Sequence, residues 1–116
     1  MPLMPLEAKK YLWDALTAAD LVAQMLVAKA LDDYLTDVVI RSAVERQLEI
    51  VGEALSQLSR RYPEVGDQVP GIERIIAFRN RLIHGYGDVD SFVVWGVTLS
   101  QLPSLRVTLR AMLEGA

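Results

Sequence analysis

Apolar residues recur at helical spacing along most of this chain, and this pattern constrains its fold more than any other feature. A side chain returns to the same face of an α-helix every three or four residues. A first helix over roughly residues 6–28 is predicted by Leu12, Ala15, Ala19, Val22 and Leu26. A second helix over roughly residues 37–60 is predicted by Ile40, Val44, Leu48, Val51, Leu55 and Leu58.

Prolines and glycines divide the remainder of the chain. The second helix should end at Tyr62, because a residue that precedes a proline disfavours the α region. Residues 63–71 contain two prolines and two glycines and are predicted to form a loop. A shorter helix then carries Ile72, Ile75, Ile76 and Leu82, and the glycines at 85 and 87 mark its end.

A last helix is predicted after the candidate capping residues Asp88, Asp90 and Ser91. Its apolar series consists of Phe92, Trp95, Leu99, Leu102, Leu105, Leu109 and Met112. Pro103 should kink this helix or break it in two, because proline removes a backbone hydrogen bond. Residues 32–35 are predicted to form either a short extra helix or a loop.

These elements predict an all-α fold, an antiparallel bundle of four to five helices in a single domain over residues 1–116. Apolar residues make up 52% of the chain, which is more than a lone small domain needs, so we expect a symmetric homodimer. The longest uncharged stretch, residues 91–105, is too short to span a membrane, and the first ten residues do not resemble a signal peptide. The chain has no cysteine, which favours a cytoplasmic protein.

Charge is distributed unevenly along the sequence. The net charge is −3, yet residues 72–86 hold three arginines and one glutamate. A small basic region on an acidic protein suits an enzyme that binds a few phosphates better than a protein that coats nucleic acid.

The basic region contains the octapeptide Arg79-Asn80-Arg81-Leu82-Ile83-His84-Gly85-Tyr86, which includes the only histidine of the chain. Imidazole exchanges protons near neutral pH, and a guanidinium binds phosphate with a planar fork of N–H donors. At 100° per residue, Arg79 and His84 lie about 140° apart on a regular helix. Either the helix ends near His84 and turns the imidazole round, or the two side chains act with copies from a second chain.

The order Arg-Asn, three residues, His, one residue and Tyr resembles the motif of the HEPN ribonucleases, and it looks closest to the HepT-type toxins of prokaryotic toxin–antitoxin pairs. Residues 44–54 are similar to that family's second helix, and Asp88-Val89-Asp90 continues its pattern. The resemblance covers nearly the whole chain.

The resemblance implies roles for Arg79, Asn80, His84 and Tyr86, whereas Arg81 and Gly85 occupy positions that vary in the family. Arg79 and His84 would be the catalytic pair, with Asn80 as the polar residue beside the arginine, in a cleft between two protomers that cleaves RNA without metal. Tyr86 matches the tyrosine that a partner nucleotidyltransferase antitoxin of the MNT type modifies with AMP to silence the toxin. Arg46 and Arg81 are candidate substrate-binding residues. No metal and no cofactor are expected.

These residue types fit RNA cleavage. His84 would act as general base or acid, and Arg79 would stabilise the charge that develops on the phosphate oxygens. The product would be a 2′,3′-cyclic phosphate, and DNA would resist because it lacks the 2′-hydroxyl.

Three alternatives stay open. Arg41, Glu45, Glu49 and Glu53 form a stripe at four-residue spacing that could bind a metal, but Arg41–Glu45 and Arg46–Glu49 pairs on a solvated or interface face are the preferred interpretation. The chain could also be a HEPN-type module that binds nucleotide or a protein partner without cleaving RNA. It could finally be a structural helical dimer, with Trp13 and Trp95 in its core or interface.

Overall fold

The computed structural model describes residues 4–85 and 89–115, and this part of the chain is helical with no strand. It contains seven helices, which we number in chain order: α1 (Leu6–Leu26), α2 (Leu31–Thr36), α3 (Val38–Arg61), α4 (Pro63–Gly66), α5 (Ile72–His84), α6 (Ser91–Ser100) and α7 (Leu102–Glu114). The predicted all-α fold is confirmed. The segment at residues 32–35, for which helix and loop were both open, lies in α2.

Proline accounts for one difference from the predicted helices and for one break that was predicted. Residues 63–71 were predicted to form a loop, and this was wrong for α4, which begins at Pro63. A proline at the first position of a helix loses no hydrogen bond, since that N–H has no partner within the helix. The predicted last helix is broken at Gln101, and Pro103 lies in the first turn of the new helix α7.

Two aspartates and one glycine precede the first residues of α3, α6 and α5. Asp37 accepts hydrogen bonds from the backbone N–H groups of Val39 and Ile40, at 3.0 and 3.1 Å, and so starts α3. Asp90 accepts from the N–H of Phe92 at 2.8 Å and starts α6, as predicted, whereas the other candidate cap, Asp88, lies outside the described residues. Gly71 precedes α5 with a φ of 72°, a conformation that glycine adopts without strain.

Helix α3 lies at the centre of the fold and contacts α1, α2, α4 and α5. Its buried face meets that of α1 in a continuous apolar core, which includes Leu12, Ala19, Val22, Val44, Leu55 and Leu58. Helix α7 covers the other side of α1, where Asp20 pairs with Arg106 at 2.7 Å and Arg110 at 3.0 Å. Burial alone would raise the pKa of Asp20, but these two arginines outweigh it and lower that pKa.

A fully buried tyrosine occupies the contact between α2 and α6. The ring of Tyr34 packs against that of Trp95 with their centroids 5.6 Å apart, so Trp95, predicted in a core or interface, lies partly buried against the core. The hydroxyl of Tyr34 has no hydrogen-bond partner among the described residues. Burial, with the negative charge of Glu45 as a smaller cause, raises the pKa of Tyr34 to about 12.

We expect Tyr34→Phe to raise the free energy of unfolding by up to about 1 kcal/mol at pH 7, because it removes a buried hydroxyl without a partner. Since the folded pKa is the higher one, the wild type should lose stability as pH rises from 10 towards 12, by about 2 kcal/mol, and the variant should lose less. Urea unfolding of both proteins at pH 7 and pH 11 measures this difference. Equal losses at pH 11 would contradict the assignment to Tyr34.

Candidate functional site

Arg79 lies on α5 with its side chain turned towards α3. Its Nη2 donates a hydrogen bond to Oε2 of Glu53 at 2.5 Å, and its Nη1 donates to Oδ1 of Asn80 at 2.9 Å. The side chain is 23% exposed, and its buried Nε has no acceptor among the described residues. Arg79 is therefore held at the α3–α5 contact, with its guanidinium only partly open to solvent.

Gly52, which precedes Glu53 on α3, makes room for the stem of Arg79. A Cβ atom at position 52 would lie 2.2 Å from Cβ and 2.6 Å from Cγ of Arg79, far inside van der Waals contact. The glycine lets α3 and α5 approach closely at this point. Two neighbouring residues of α3 thus position one arginine, with Gly52 against its stem and Glu53 against its head.

The charged residues of the α3 stripe have partners on α2, α3 and α5. Arg46 pairs with Glu49 at 3.4 Å, as predicted. Arg41 donates hydrogen bonds to the carbonyl oxygens of Tyr34 and Leu35 at the end of α2. Glu53 was interpreted as part of a solvated or interface face, whereas the structure makes it the partner of Arg79.

His84 is the last residue of α5, and its side chain is exposed. The helix remains regular through His84, and the N–H of Gly85 donates to the carbonyl of Arg81 at 2.7 Å. The end of the helix therefore does not turn the imidazole towards Arg79. Among the residues that the structure describes, no hydrogen bond joins Arg79 to His84.

The other candidate residues lie on two helices, α5 and α3, or outside the described residues. Asn80 and Arg81 are exposed on α5, and Asn80 contacts Arg79. Arg46 lies on α3 beside the groove described next. Tyr86, the candidate for modification, is outside the described residues.

A groove of about 460 Å³ runs between α1, α3 and α5 and contains the Arg79–Glu53 pair. Its lining includes Trp13, Arg46, Glu49, Glu53, Arg79 and Ile83. Trp13 is 62% exposed and Ile83 is 44% exposed, so two large apolar residues of the lining remain open to solvent. Trp13 was expected in a core or an interface, and within this chain it is not in the core.

The groove lining includes more acidic than basic side chains. Arg46 and Arg79 face three carboxylates, those of Asp14, Glu49 and Glu53. Lys10 pairs with Asp14 at 3.3 Å, so each of the three carboxylates has a cationic partner. A phosphate entering this groove would have to reach N–H donors that these pairs leave open.

No cluster of three or more histidine, cysteine, aspartate or glutamate side chains is arranged to hold a metal ion in the described part of the chain. None of its helices is both long and apolar enough to cross a membrane.

Comparison with known proteins identifies similar sequences along most of the chain. The model of the family described as "Ribonuclease HepT-like" matches residues 15–112. The "Probable ribonuclease HepT" of Thermococcus cleftensis is 33% identical over 98 residues, which cover 84% of this chain and 88% of that protein.

Two further relatives carry similar names. A "Putative RNase" of Methanocaldococcus jannaschii is 30% identical over 100 residues, covering 86% of this chain and 91% of the relative. A protein of the same name from Caldanaerobacter subterraneus is 29% identical over 106 residues, covering 91% and 94%. No solved structure is significantly similar to this chain.

Proposed function

The chain belongs to the HepT-like ribonuclease family, and from this premise we propose that it is an endoribonuclease that cleaves RNA without a metal ion. Arg79 and His84 are the proposed catalytic pair, with Asn80 beside the arginine. One observation carries the proposal. Glu53 of α3 holds the guanidinium of Arg79, and Arg79 lies on α5, the helix that ends at His84.

The proposed reaction uses the 2′-hydroxyl of RNA as its nucleophile. His84 takes the proton of that hydroxyl, and the oxygen then forms a bond to phosphorus. Arg79 donates hydrogen bonds to the non-bridging oxygens as negative charge builds on them. The bond to the 5′-oxygen breaks, this oxygen takes a proton, and the products are a 2′,3′-cyclic phosphate and a 5′-hydroxyl.

In the proposed homodimer, a second chain brings its His84 to the Arg79 that its own helix keeps apart from His84. Since Arg79 points to α3 and His84 lies in solvent, we propose that Arg79 of one chain acts with His84 of another across a two-fold axis. The exposed apolar side chains of Trp13 and Ile83 in the groove lining are consistent with such a contact.

We propose that the protein is the toxin of a toxin–antitoxin pair. The proposed partner is an MNT-type nucleotidyltransferase that transfers AMP to Tyr86, two residues after His84. An added AMP carries a phosphate charge and the bulk of a nucleoside, and both would oppose the binding of RNA beside His84.

A second candidate function is a HEPN-type module that binds nucleotide or a protein partner without cleaving RNA. One observation favours it: Glu53 and Asn80 already accept hydrogen bonds from Arg79, which leaves fewer N–H donors to stabilise the charge of a transition state. A module of this kind should bind nucleotide while leaving RNA whole.

The first test is incubation of total cellular RNA with purified protein in excess EDTA. We expect fragments that end in 2′,3′-cyclic phosphate, and no cleavage of an oligonucleotide with 2′-deoxyribose at every position. An Arg79→Ala preparation, made in parallel, controls for contaminating nucleases and should be inactive. The mass of Tyr86-containing peptides must be measured in the same preparation, because AMP on Tyr86 would silence the enzyme.

Intact RNA after incubation with protein that carries no AMP would contradict the ribonuclease. Tight binding of nucleotide by that same protein would then support the binding module instead.

A further inference from the structure

We propose that Glu53 is a positioning residue for RNA cleavage, because its carboxylate sets the orientation of the Arg79 guanidinium at the reacting phosphate. This inference rests on the proposed ribonuclease function. It assigns a role to a residue outside the octapeptide, 26 positions before Arg79 in the chain.

The hydrogen bonds of Arg79 leave part of its fork available to a phosphate. A guanidinium has five N–H donors, of which Glu53 and Asn80 each accept one. Nε is buried, so one N–H on each terminal nitrogen remains for a non-bridging oxygen. Because both terminal nitrogens are already bonded to the protein, rotation of the guanidinium about its Nε–Cζ bond is restrained.

The stem of Arg79 is restrained as well. Gly52 lies directly against its Cβ and Cγ, so that the side chain is held at the stem by α3 packing and at the head by Glu53. An arginine restrained in this way loses less rotational freedom when it binds the transition state. Without Glu53, we expect the head of Arg79 to sample several orientations while its stem stays in place.

If the Glu53–Arg79 pair only stabilised the fold, removal of the Glu53 charge would act mainly on the unfolding temperature. The side chain of Glu53 is 46% exposed, and exposed ion pairs contribute little to folding stability. Removal of its charge should therefore change the rate of cleavage much more than the unfolding temperature.

Glu7 provides a matched control. It pairs with Arg61 at 2.9 Å, its side chain is 44% exposed, and it does not line the groove that contains Arg79. Glu7→Gln and Glu53→Gln thus remove the same charge from paired carboxylates of similar exposure.

The experiment measures kcat and KM of both variants on one oligoribonucleotide, together with thermal unfolding. We expect Glu53→Gln to lower kcat by at least tenfold with KM within about twofold, and Glu53→Asp to recover part of the loss. Glu7→Gln should match the wild type in both constants. If Glu53→Gln is as active as the wild type, or more active, the positioning role is wrong.

A second measurement does not depend on activity. Nuclear magnetic resonance of the arginine side chains reports the rate of rotation about the Nε–Cζ bond of Arg79. We expect slow rotation in the wild type and in Glu7→Gln, and fast rotation in Glu53→Gln. Fast rotation in the wild type would overturn the inference. Restrained rotation in a wild type that leaves RNA whole would instead contradict the proposed function and leave the orienting contact of Glu53 intact.

Discussion

Replacement of His84 by alanine is expected to lower the rate of RNA cleavage by about 10²- to 10⁴-fold, the usual contribution of a general acid or base. The fold should not change, because the side chain is exposed and lies at the end of α5. Cleavage of a labelled oligoribonucleotide in EDTA measures the rate, and thermal unfolding checks the fold. Glu73→Ala, at an exposed position in the first turn of the same helix, is the matched control and should cleave at the wild-type rate.

The proposed sharing of each site between two chains predicts the result of a second experiment, with mixed dimers. If each site combines Arg79 of one chain with His84 of its partner, a mixed dimer of the Arg79→Ala and His84→Ala variants contains one intact site. Random exchange of equal amounts should then restore about a quarter of the wild-type activity. No recovery after subunit exchange would place both residues of each site on one chain. Full activity of His84→Ala by itself would remove the histidine from the mechanism.

Gly52→Ala is expected to lower both stability and activity, although alanine is normally the better helix former. The new Cβ would lie 2.2 Å from Cβ of Arg79, at the base of the side chain, so α3 and α5 must move apart. Overpacking of this kind costs about 1–3 kcal/mol, against a gain in helix propensity of about 1 kcal/mol. We expect a net loss of about 1 kcal/mol in the free energy of unfolding, and at least a tenfold loss in cleavage rate as Arg79 is displaced.

Gly96 is the matched control for this prediction. It also lies within a helix, α6, but a Cβ atom there would meet nothing within 4 Å. Gly96→Ala should therefore gain up to about 1 kcal/mol from helix propensity and cleave RNA at the wild-type rate. Urea unfolding and the oligoribonucleotide assay separate the two variants. A Gly52→Ala protein that is as stable and active as Gly96→Ala would contradict the close packing of α3 on α5.

Local features of the sequence predicted most of the helices. The spacing of apolar residues located α1, α3 and α5 to within a few residues, because helical periodicity is a property of neighbours on one face. Pro63 shows the limit of such rules. Its effect on Tyr62 ended α3 as predicted, but the same ring also suits the first turn of a helix, and α4 begins there.

The octapeptide was likewise visible in the sequence, and it identified a family to which the chain does belong. The partners of its side chains were not visible. Helical periodicity relates residues within one helix. Glu53 and Arg79 lie on different helices, 26 positions apart, and meet only when α3 packs on α5. For the same reason, the i, i+4 rule could not indicate that Arg41 donates to the carbonyl oxygens at the end of α2, which the packing of α2 on α3 places beside it.

The sequence by itself determined most of the helices, the cap at Asp90 and the residue types of the candidate site, since all of these depend on neighbours within one or two turns. Only the tertiary structure decided that Gly52 and Glu53 hold Arg79, that His84 lies in solvent, and that Trp13 stays exposed on the groove. These features depend on how closely two helices approach and which faces they turn to each other. Packing of whole side-chain surfaces sets that geometry, and no short stretch of sequence contains it.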